Sequence, residues 1–218
     1  MGFRFQDVEI SWLGHDSFLV KKDVLIYIDP YQIKAGPAAD LVLITHDHFD
    51  HLSLDDLRKI VTDKTTIVAA KHCGGELKKL GKGVVKPVSP GDEVTVGNVK
   101  VRAVPAYNVN KFREPGKVFH PKEYGGVGYV LTIGNVSIYH AGDTDYIPEM
   151  KGLKVDVALL PVSGTYVMTA AEAAEAAKAI KPKIAIPMHY GAIVGSEKDA
   201  QEFKRLYGGE TVILTKEA

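Results

Sequence analysis

A dense group of metal-ligand residues directly follows a short apolar segment, and this feature constrains the chain more than any other. The apolar segment is Leu41-Val42-Leu43-Ile44, and the polar run behind it is Thr45-His46-Asp47-His48-Phe49-Asp50-His51. Three of the eight histidines fall within that run. The apolar segment predicts a buried strand, and residues 53–57 predict the start of a helix. The polar run would therefore lie at the carboxyl end of a strand, where α/β proteins place ligand-binding groups.

The residue types in this run predict a site for divalent metal ions. Imidazole nitrogens and carboxylate oxygens are the ligands of zinc and related metals. In an extended loop, His46 and His48 project to the same side and can share one ion. Asp50 and His51 follow where the chain turns into the helix, and we expect them to face a second ion. The alternative is a solvated polar loop, which so dense a set of ligand residues disfavours.

Three more polar side chains follow predicted strands and would extend this site. Asp143 comes after the strand at residues 136–139 and after Gly142, which permits a tight turn. The two oxygens of its carboxylate can each bind one ion. His189 follows a predicted strand at residues 184–187, and Asn108 follows another at residues 99–104.

Composition and charge limit the class of protein. With 218 residues, of which 45% are hydrophobic and 25% charged, we expect a single folded domain over residues 1–218. Lysine plus arginine equals aspartate plus glutamate at 27 each, so neither a nucleic acid nor a membrane is expected as a partner. A small-molecule substrate is expected instead, and a homo-oligomer is left open.

A cytoplasmic location is the expectation for this chain. Cys73 is the single cysteine, so an intrachain disulfide is excluded. Residues 1–7 do not have the apolar core of a signal peptide. No apolar run approaches the ~20 residues that a membrane span needs.

The order of predicted elements indicates two halves of similar class. Strands are followed by strand–helix units in the first half, and the same order returns in the second half. This order predicts an α/β (α+β) fold in which two sheets carry outer helices, a four-layer αββα sandwich. Helices are predicted at residues 53–61, 72–80 and 169–180 and from Ser196 to about residue 208, with a last strand at residues 211–214. Residues 105–126 read as a long irregular loop that forms a lid or pocket wall.

The motifs together resemble the metallo-β-lactamase superfamily. The resemblance is carried by the His46/His48/Asp50/His51 run, by Gly142-Asp143-Thr144 and by Pro187-Met188-His189-Tyr190. Two further stretches, Trp12-Leu13-Gly14-His15-Asp16-Ser17-Phe18 and Ile28-Asp29-Pro30, resemble the metal-dependent hydrolases that include the ascorbate-6-phosphate lactonases. The resemblance extends over nearly the whole chain and is specific for the superfamily, but not for a substrate.

The resemblance implies a dinuclear metal site and a role for each residue. The implied ligands are His46 and His48 for the first metal, Asp50, His51 and His189 for the second, and Asp143 as the bridge. Asp50 and His51 are also the implied catalytic residues, and a hydroxide between the metals would be the nucleophile. Zinc is the favoured metal, with manganese, iron or nickel as alternatives.

The chain departs from the family pattern at one ligand position. The superfamily usually has a third histidine for the first metal, and the corresponding stretch here is Pro105-Ala106-Tyr107-Asn108. Asn108 can offer an amide oxygen, which is a weaker ligand. Alternatively, His120 on the long loop can take that position.

Other residues are candidates for contacts around the metals or the substrate. They are His15, His140, Tyr190 and Thr165. The long loop also carries the basic residues Lys111, Arg113, Lys117 and Lys122. These could meet a phosphate or carboxylate, or they could form a solvated basic loop.

The expected function is a metal-dependent hydrolase that acts on a small anionic ester, lactone or phosphodiester. The alternatives are a metal-dependent nuclease or RNA-processing enzyme, an iron-dependent oxidoreductase of the same fold, and a non-catalytic metal-binding module. The balanced charge disfavours the nuclease. Diiron relatives place a glutamate at the position of His48, which disfavours diiron oxygen chemistry. Asn108 is the feature that favours the non-catalytic module.

Overall fold

The computed structural model describes residues 2–217, which form two large sheets with helices on their outer faces. The first sheet contains, in spatial order, β1 (Phe3–Phe5), β2 (Val8–Gly14), β3 (Ser17–Lys21), β4 (Leu25–Ile28), β5 (Leu41–Ile44), β6 (Thr66–Ala70) and β7 (Val84–Val88). The second sheet is built from β8 (Glu93–Val96), β9 (Val99–Pro105), β12 (Val127–Ile133), β13 (Val136–His140), β14 (Val157–Pro161) and β15 (Ile184–Met188). A separate hairpin consists of β10 (Phe112–Glu114) and β11 (Lys117–Val118).

Within residues 2–217, four α-helices complete the layers and confirm the four-layer αββα sandwich. They are α1 (Leu54–Ile60), α2 (Gly74–Leu77), α3 (Ala170–Ile180) and α4 (Glu197–Tyr207). Helix α3 begins at a capping box in which Thr169 and Glu172 bond each other's backbone N–H groups, as the sequence predicted. Its small buried alanines allow close packing against α4 and β14.

Each sheet combines an antiparallel part with a parallel part. Strands β1 to β4 form an antiparallel meander, and β4 to β7 are parallel. In the second sheet, β13, β14 and β15 are parallel. Every residue of β5 and β14 is buried, because helices cover one face of a parallel strand and the other sheet covers the opposite face.

A buried tyrosine joins the two sheets directly beneath the polar run. The hydroxyl of Tyr129, on β12, donates a hydrogen bond to the carbonyl oxygen of Ile44 at 2.7 Å. Ile44 is the last residue of β5, so the strand that leads into the polar run is held from both sheets.

The structure differs from the predicted elements in four places. Residues 211–214 are not a strand: Thr211 makes one isolated bridge to Ala185, and the chain then crosses to the first sheet. The predicted helix at 72–80 is divided into a 3-10 turn, the short α2 and a second 3-10 turn, since two adjacent glycines weaken a helix. The loop at 105–126 contains the β10–β11 hairpin. The sequence analysis did not predict strand β1, because its three residues are too few to show an alternating pattern.

The helices of residues 2–217 include none that is long and apolar enough to cross a lipid bilayer.

Candidate metal centre

The predicted site residues come together where several strands of both sheets end. Strand β5 leads into the polar run, β13 leads to Asp143 and β15 leads to His189. The turn between β2 and β3 adds His15 and Asp16. Three overlapping groups of donor atoms result, each with its atoms within 4.8 Å of one another. The groups are His46, His48, His120 and Asp143; His15, Asp50, His51 and His189; and Asp16, His51, Asp143 and His189.

The first donor set has the spacing that a tetrahedral metal ion requires. His48 Nδ1 lies 3.1 Å from His46 Nε2 and 3.2 Å from His120 Nε2. Asp143 Oδ2 lies 3.4 Å from His120 Nε2 and 3.9 Å from His46 Nε2. Four donors placed tetrahedrally ~2.0–2.1 Å from zinc are roughly 3.3–3.4 Å apart. The set therefore fits one ion with three nitrogen ligands and one oxygen ligand.

The second and third groups share His51 and His189, and we call Asp50, His51, His189 and the Oδ1 atom of Asp143 together the second donor set. Asp143 Oδ1 lies 3.3 Å from His51 Nε2 and 3.4 Å from His189 Nε2, and Asp50 Oδ2 lies 3.7 Å from His51 Nε2. Within residues 2–217, Asp143 Oδ1 and both Nε2 atoms have no hydrogen-bond partner. Buried polar atoms are rarely left unpaired, so three converging orphans fit a second ion. The two oxygens of Asp143 thus face two different donor sets.

Hydroxyl groups fix the tautomers of two histidines. Thr45 Oγ1 donates its proton to Asp29 Oδ2 at 2.6 Å, so it accepts from His46 Nδ1 at 3.0 Å. In the same way, Ser163 Oγ donates to a backbone carbonyl at 3.3 Å and accepts from His189 Nδ1 at 2.9 Å. With the proton on Nδ1, each Nε2 presents a lone pair to the donor sets.

A carboxylate orients His51. Asp29 Oδ2 accepts from His51 Nδ1 at 2.8 Å, and Asp29 Oδ1 accepts from the Thr45 N–H at 2.8 Å. This carboxylate–histidine pair is the arrangement that commonly supports a metal-bound imidazole. In the sequence, Asp29 was named only as part of the Ile28-Asp29-Pro30 stretch that carries the family resemblance. Its position directly after β4 was the signal that could have placed it at the site.

Asn108 lies outside the donor set, and His120 takes the place expected for the missing histidine. Asn108 Oδ1 accepts from the backbone N–H of His120 at 2.9 Å and from His120 Nδ1 at 2.8 Å. Its Nδ2 donates to the carbonyl oxygen of Tyr166 at 2.9 Å. Both the oxygen and the nitrogen of the Asn108 amide are therefore engaged in hydrogen bonds. The amide orients His120 so that its Nε2 faces the first donor set. Of the two alternatives left open by the sequence, the geometry favours His120.

His15 and Asp16 border the second donor set. His15 Nε2 lies 3.0 Å from Asp50 Oδ2, and the His15 ring packs on that of His189 with centroids 4.2 Å apart. Asp16 is fully buried, and neither of its oxygens has a hydrogen-bond partner in the described part of the chain. Sequence reasoning missed Asp16 as a donor, although it lies in the turn that contains His15.

The remaining candidates lie near the donors without joining them. His140 uses both ring nitrogens, since Nε2 donates to the Asp16 carbonyl at 2.9 Å and Nδ1 accepts from the Gly142 N–H at 3.2 Å. Tyr190 is buried and packs on Trp12. Thr165 is exposed, and its backbone carbonyl accepts the hydrogen bond from Ser163 Oγ.

The histidines of the site differ in the direction in which their surroundings shift the pKa. Burial lowers the pKa of His46 well below its usual range, with the nearby His51 acting in the same direction, and burial lowers the pKa of His120 to about 4. For His51, burial opposes protonation, but the charges of Asp143 and Asp29 outweigh it and raise the pKa. The lowered pKa values of His46 and His120 favour the neutral imidazoles that bind metal, whereas the raised pKa of His51 means that a metal ion competes with a proton there.

The cations of the long loop are largely neutralised by neighbouring carboxylates. Lys111 Nζ lies 3.2 Å from Asp145 Oδ1 and 2.8 Å from Glu172 Oε2, and its side chain is only 13% exposed. Lys117 pairs with Glu114, and Lys122 pairs with Glu149. Only Arg113 of the four basic residues has no ion pair within residues 2–217. Lys111 is thus held inside the protein, whereas Lys117 and Lys122 stay exposed, so this part of the loop remains a solvated surface whose lysines pair with carboxylates.

A mixed αββα sandwich that carries two histidine–aspartate donor sets at the ends of its strands defines the metallo-β-lactamase class. The family model described as "Beta-lactamase superfamily domain" matches residues 9–189. A UPF0173 metal-dependent hydrolase from Methanopyrus kandleri is 36% identical over 214 residues, which cover 91% of this chain and 90% of the relative. Another, from Thermoplasma acidophilum, is 35% identical and covers 96% of both chains.

A solved structure supports the same class of protein. The crystal structure of a metal-dependent hydrolase from Parabacteroides distasonis has a TM-score of 0.84 and 35% sequence identity, and covers 99% of both chains. The chain belongs to the β-lactamase superfamily, in the group of UPF0173 metal-dependent hydrolases. The prediction of a metal-dependent hydrolase of this superfamily is thereby confirmed.

Proposed function

We propose that the protein binds two divalent metal ions and hydrolyses a small ester, lactone or phosphodiester whose anionic oxygen is held at the metals. The observation that carries the proposal is the placement of Asp143, with Oδ1 among His51 and His189 and Oδ2 among His46 and His120. A carboxylate with two buried oxygens between two donor sets is suited to bridge two ions.

The donor sets differ in chemistry, and this difference suggests separate tasks. The first set is nitrogen-rich and would be satisfied by zinc; manganese, iron or nickel remain alternatives. The second set has more carboxylate, because it includes Asp50, whose Oδ2 also lies 3.0 Å from His15 Nε2. Bound metal ions lower the pKa of water to ~7, which supplies hydroxide as a nucleophile at neutral pH.

The chain's own residues would orient the site and hold protons. Asp29, Asn108 and Ser163 keep three imidazoles in the tautomer that a ligand needs. The bond between His15 and Asp50 places a proton beside the second donor set, where a leaving oxygen needs one. Asp50 and His51 are the proposed catalytic residues, and they would act from the second donor set.

The competing functions lose support from these contacts. Asn108 was the feature that favoured a non-catalytic module, and it serves to orient His120. A nuclease would need a cationic surface, and three of the four loop cations are paired with carboxylates. The likeness to ascorbate-6-phosphate lactonases, the cytoplasmic location and the absence of a macromolecular partner stay predictions.

The test combines metal counting with activity. Purified protein should bind two zinc or manganese ions per chain, counted by mass spectrometry, and should hydrolyse at least one member of a panel of aryl esters, lactones and phosphodiesters. Asp143→Ala should lose both ions and activity. Asp47→Asn is the matched control, because Asp47 lies in the same loop but belongs to none of the donor groups. Two ions retained by Asp143→Ala would contradict the bridging role, and full loading without hydrolysis would contradict the enzymatic proposal.

A further inference from the structure

Exposed apolar side chains are concentrated on the segments that carry the metal donors. Residues 2–217 leave eight large hydrophobic side chains exposed. Six lie in the polar run, in the loop around Asn108 and His120, or in the loops beside Ser163 and His189: Phe49, Val109, Phe112, Tyr124, Tyr166 and Ile193. The other two are on the edge strand β7. Single exposed apolar residues are ordinary, but such a concentration indicates a binding surface.

Four aromatic residues, here called the aromatic rim, are neighbours of donor residues in the chain or pack against such neighbours. Phe49 lies between His48 and Asp50, is 67% exposed, and packs edge-on against Tyr31 with centroids 5.9 Å apart. Tyr31 in turn lies 6.2 Å from the ring of His15. The second pair, Phe119 and Tyr166, also packs edge-on, with centroids 4.7 Å apart. Phe119 is the neighbour of His120 in the chain.

The backbone of Tyr166 is held in an unfavourable conformation. Its φ is 69°, in the left-handed region that bulky non-glycine residues rarely adopt. The hydrogen bond from Asn108 Nδ2 to the Tyr166 carbonyl maintains this conformation. The same Asn108 amide orients His120, so one side chain sets both a candidate metal ligand and a rim aromatic. Strain of this kind at a half-exposed bulky residue is typical of a functional position.

Most cations of the long loop already have carboxylate partners. Lys111 pairs with Asp145 and Glu172 away from solvent, while Lys117 and Lys122 pair with Glu114 and Glu149 at the surface and Arg113 has no ion pair within residues 2–217. The metals themselves would hold the polar reacting group. What the rim adds beside them is aromatic surface, which recognises rings by edge-to-face and stacked contacts.

We propose that the aromatic rim, chiefly Phe49 and Tyr166, binds an aryl group that the substrate carries next to the bond to be hydrolysed. The proposal rests on the proposed metal centre and narrows its substrates to aryl-bearing esters, lactones or related compounds. Tyr166 and Phe49 are specificity residues in this scheme and take no part in the chemical step.

The experiment compares two chelating probes that differ only in the ring. Benzohydroxamate and acetohydroxamate bind metal through the same two oxygens, and calorimetry gives their Kd values for zinc-loaded protein. Because an aromatic ring would bury apolar area on the rim, benzohydroxamate should bind the wild type about tenfold more tightly or better. This readout needs no turnover, so it is separate from the test of hydrolysis.

Two variants assign the preference to the rim. Tyr166→Asn removes the ring but keeps a residue that tolerates left-handed backbone, and Phe49→Ala removes the other exposed ring. Each should reduce the preference for benzohydroxamate to about twofold, with the Kd of acetohydroxamate and the zinc content unchanged. Phe112→Ala is the matched control: Phe112 is 53% exposed, lies on the β10–β11 hairpin, and should not alter the preference.

Three results would overturn the proposal. The first is equal affinity of the wild type for the two probes. The second is a preference that survives in both rim variants. The third is a change from dimer to monomer in light scattering when Phe49 or Tyr166 is replaced, since this would identify the rim as an interface between copies of the chain. If zinc is not retained and neither probe binds, the metal centre fails and the rim proposal fails with it.

Discussion

Replacing Asn108 by alanine should weaken the first metal site through His120. Asn108 Oδ1 accepts two hydrogen bonds from His120, at 2.9 and 2.8 Å, and Nδ2 donates one to Tyr166 at 2.9 Å. Alanine removes all three. The imidazole of His120 would then be free to rotate and to place its proton on Nε2, where the metal needs a lone pair.

The size of the effect follows from these three bonds. At ~0.5–1.5 kcal/mol each, their loss should lower the free energy of unfolding of the metal-free protein by roughly 2–4 kcal/mol. Loss of a hydrogen-bond partner behind a metal ligand typically weakens metal binding about 10–100-fold, or ~1.4–2.8 kcal/mol. The second site should change little, because His51 and His189 are held by Asp29 and Ser163.

The assay is a zinc titration of metal-free protein in competition with a chromophoric chelator of known affinity. The wild type should show two bound ions, and Asn108→Ala should show one of them weakened by the expected factor. Asn110→Ala is the matched control, since Asn110 lies in the same loop and bonds Glu172 instead of a candidate ligand. Its zinc affinities should equal those of the wild type.

A double-mutant cycle decides whether the reasoning is right. If Asn108 acts only through His120, adding Asn108→Ala to His120→Ala should weaken zinc binding by less than about twofold. The same 10–100-fold loss in both backgrounds would refute the argument. It would instead mean that Asn108 contacts the metal itself.

Three further substitutions test other contacts. Asp29→Asn should weaken the second metal about 10–100-fold in the same zinc titration, because an amide has one oxygen and cannot accept both from the Thr45 N–H and from His51 Nδ1, which bond different oxygens of Asp29; unchanged affinity would contradict the role given to Asp29. Burial raises the pKa of Glu172, but hydrogen bonds from Lys111, Thr169 and Asn110 outweigh it and lower the pKa from 4.5 to about 2. The wild type should therefore be more stable than Glu172→Gln above pH 4.5. In urea unfolding, this difference in stability should vanish as the pH falls towards 2. Tyr129→Phe should lower the unfolding free energy by about 1–2 kcal/mol, since it removes the bond between β12 and β5; a change below about 0.3 kcal/mol would mean that this bond contributes little.

Much of the fold could be predicted because its signals are local. Strand β5, the capping box of α3 and the hairpin of β12 and β13 each lie within a short stretch whose pattern is visible in the sequence. The segment at 211–214 misled the prediction because it has strand-like residues but lies beside an edge strand for only one bridge. Pairing with a neighbour, which makes a strand, is not a property of the segment alone.

The candidate donors were also foreseen from the sequence, because metal ligands are chemically distinctive and follow strands. His46, His48, Asp143 and His189 needed only their residue types and their positions after apolar runs. The role of His120 was different, since it lies 72 residues from its neighbour His48. Only the folded loop, with its N–H bonded to Asn108, shows that its ring reaches the first donor set.

The sequence by itself determined that this chain is an αββα protein with histidine and aspartate donors at the ends of its strands. The tertiary structure decided which nitrogen each donor presents, because tautomers depend on partners such as Asp29 and Ser163 that lie far away in the chain. It also decided that Lys111 and Lys122 pair with carboxylates and that Phe119, the chain neighbour of His120, packs against Tyr166. Residue type limits what a side chain can do, whereas the neighbours that folding brings to it select one of those roles.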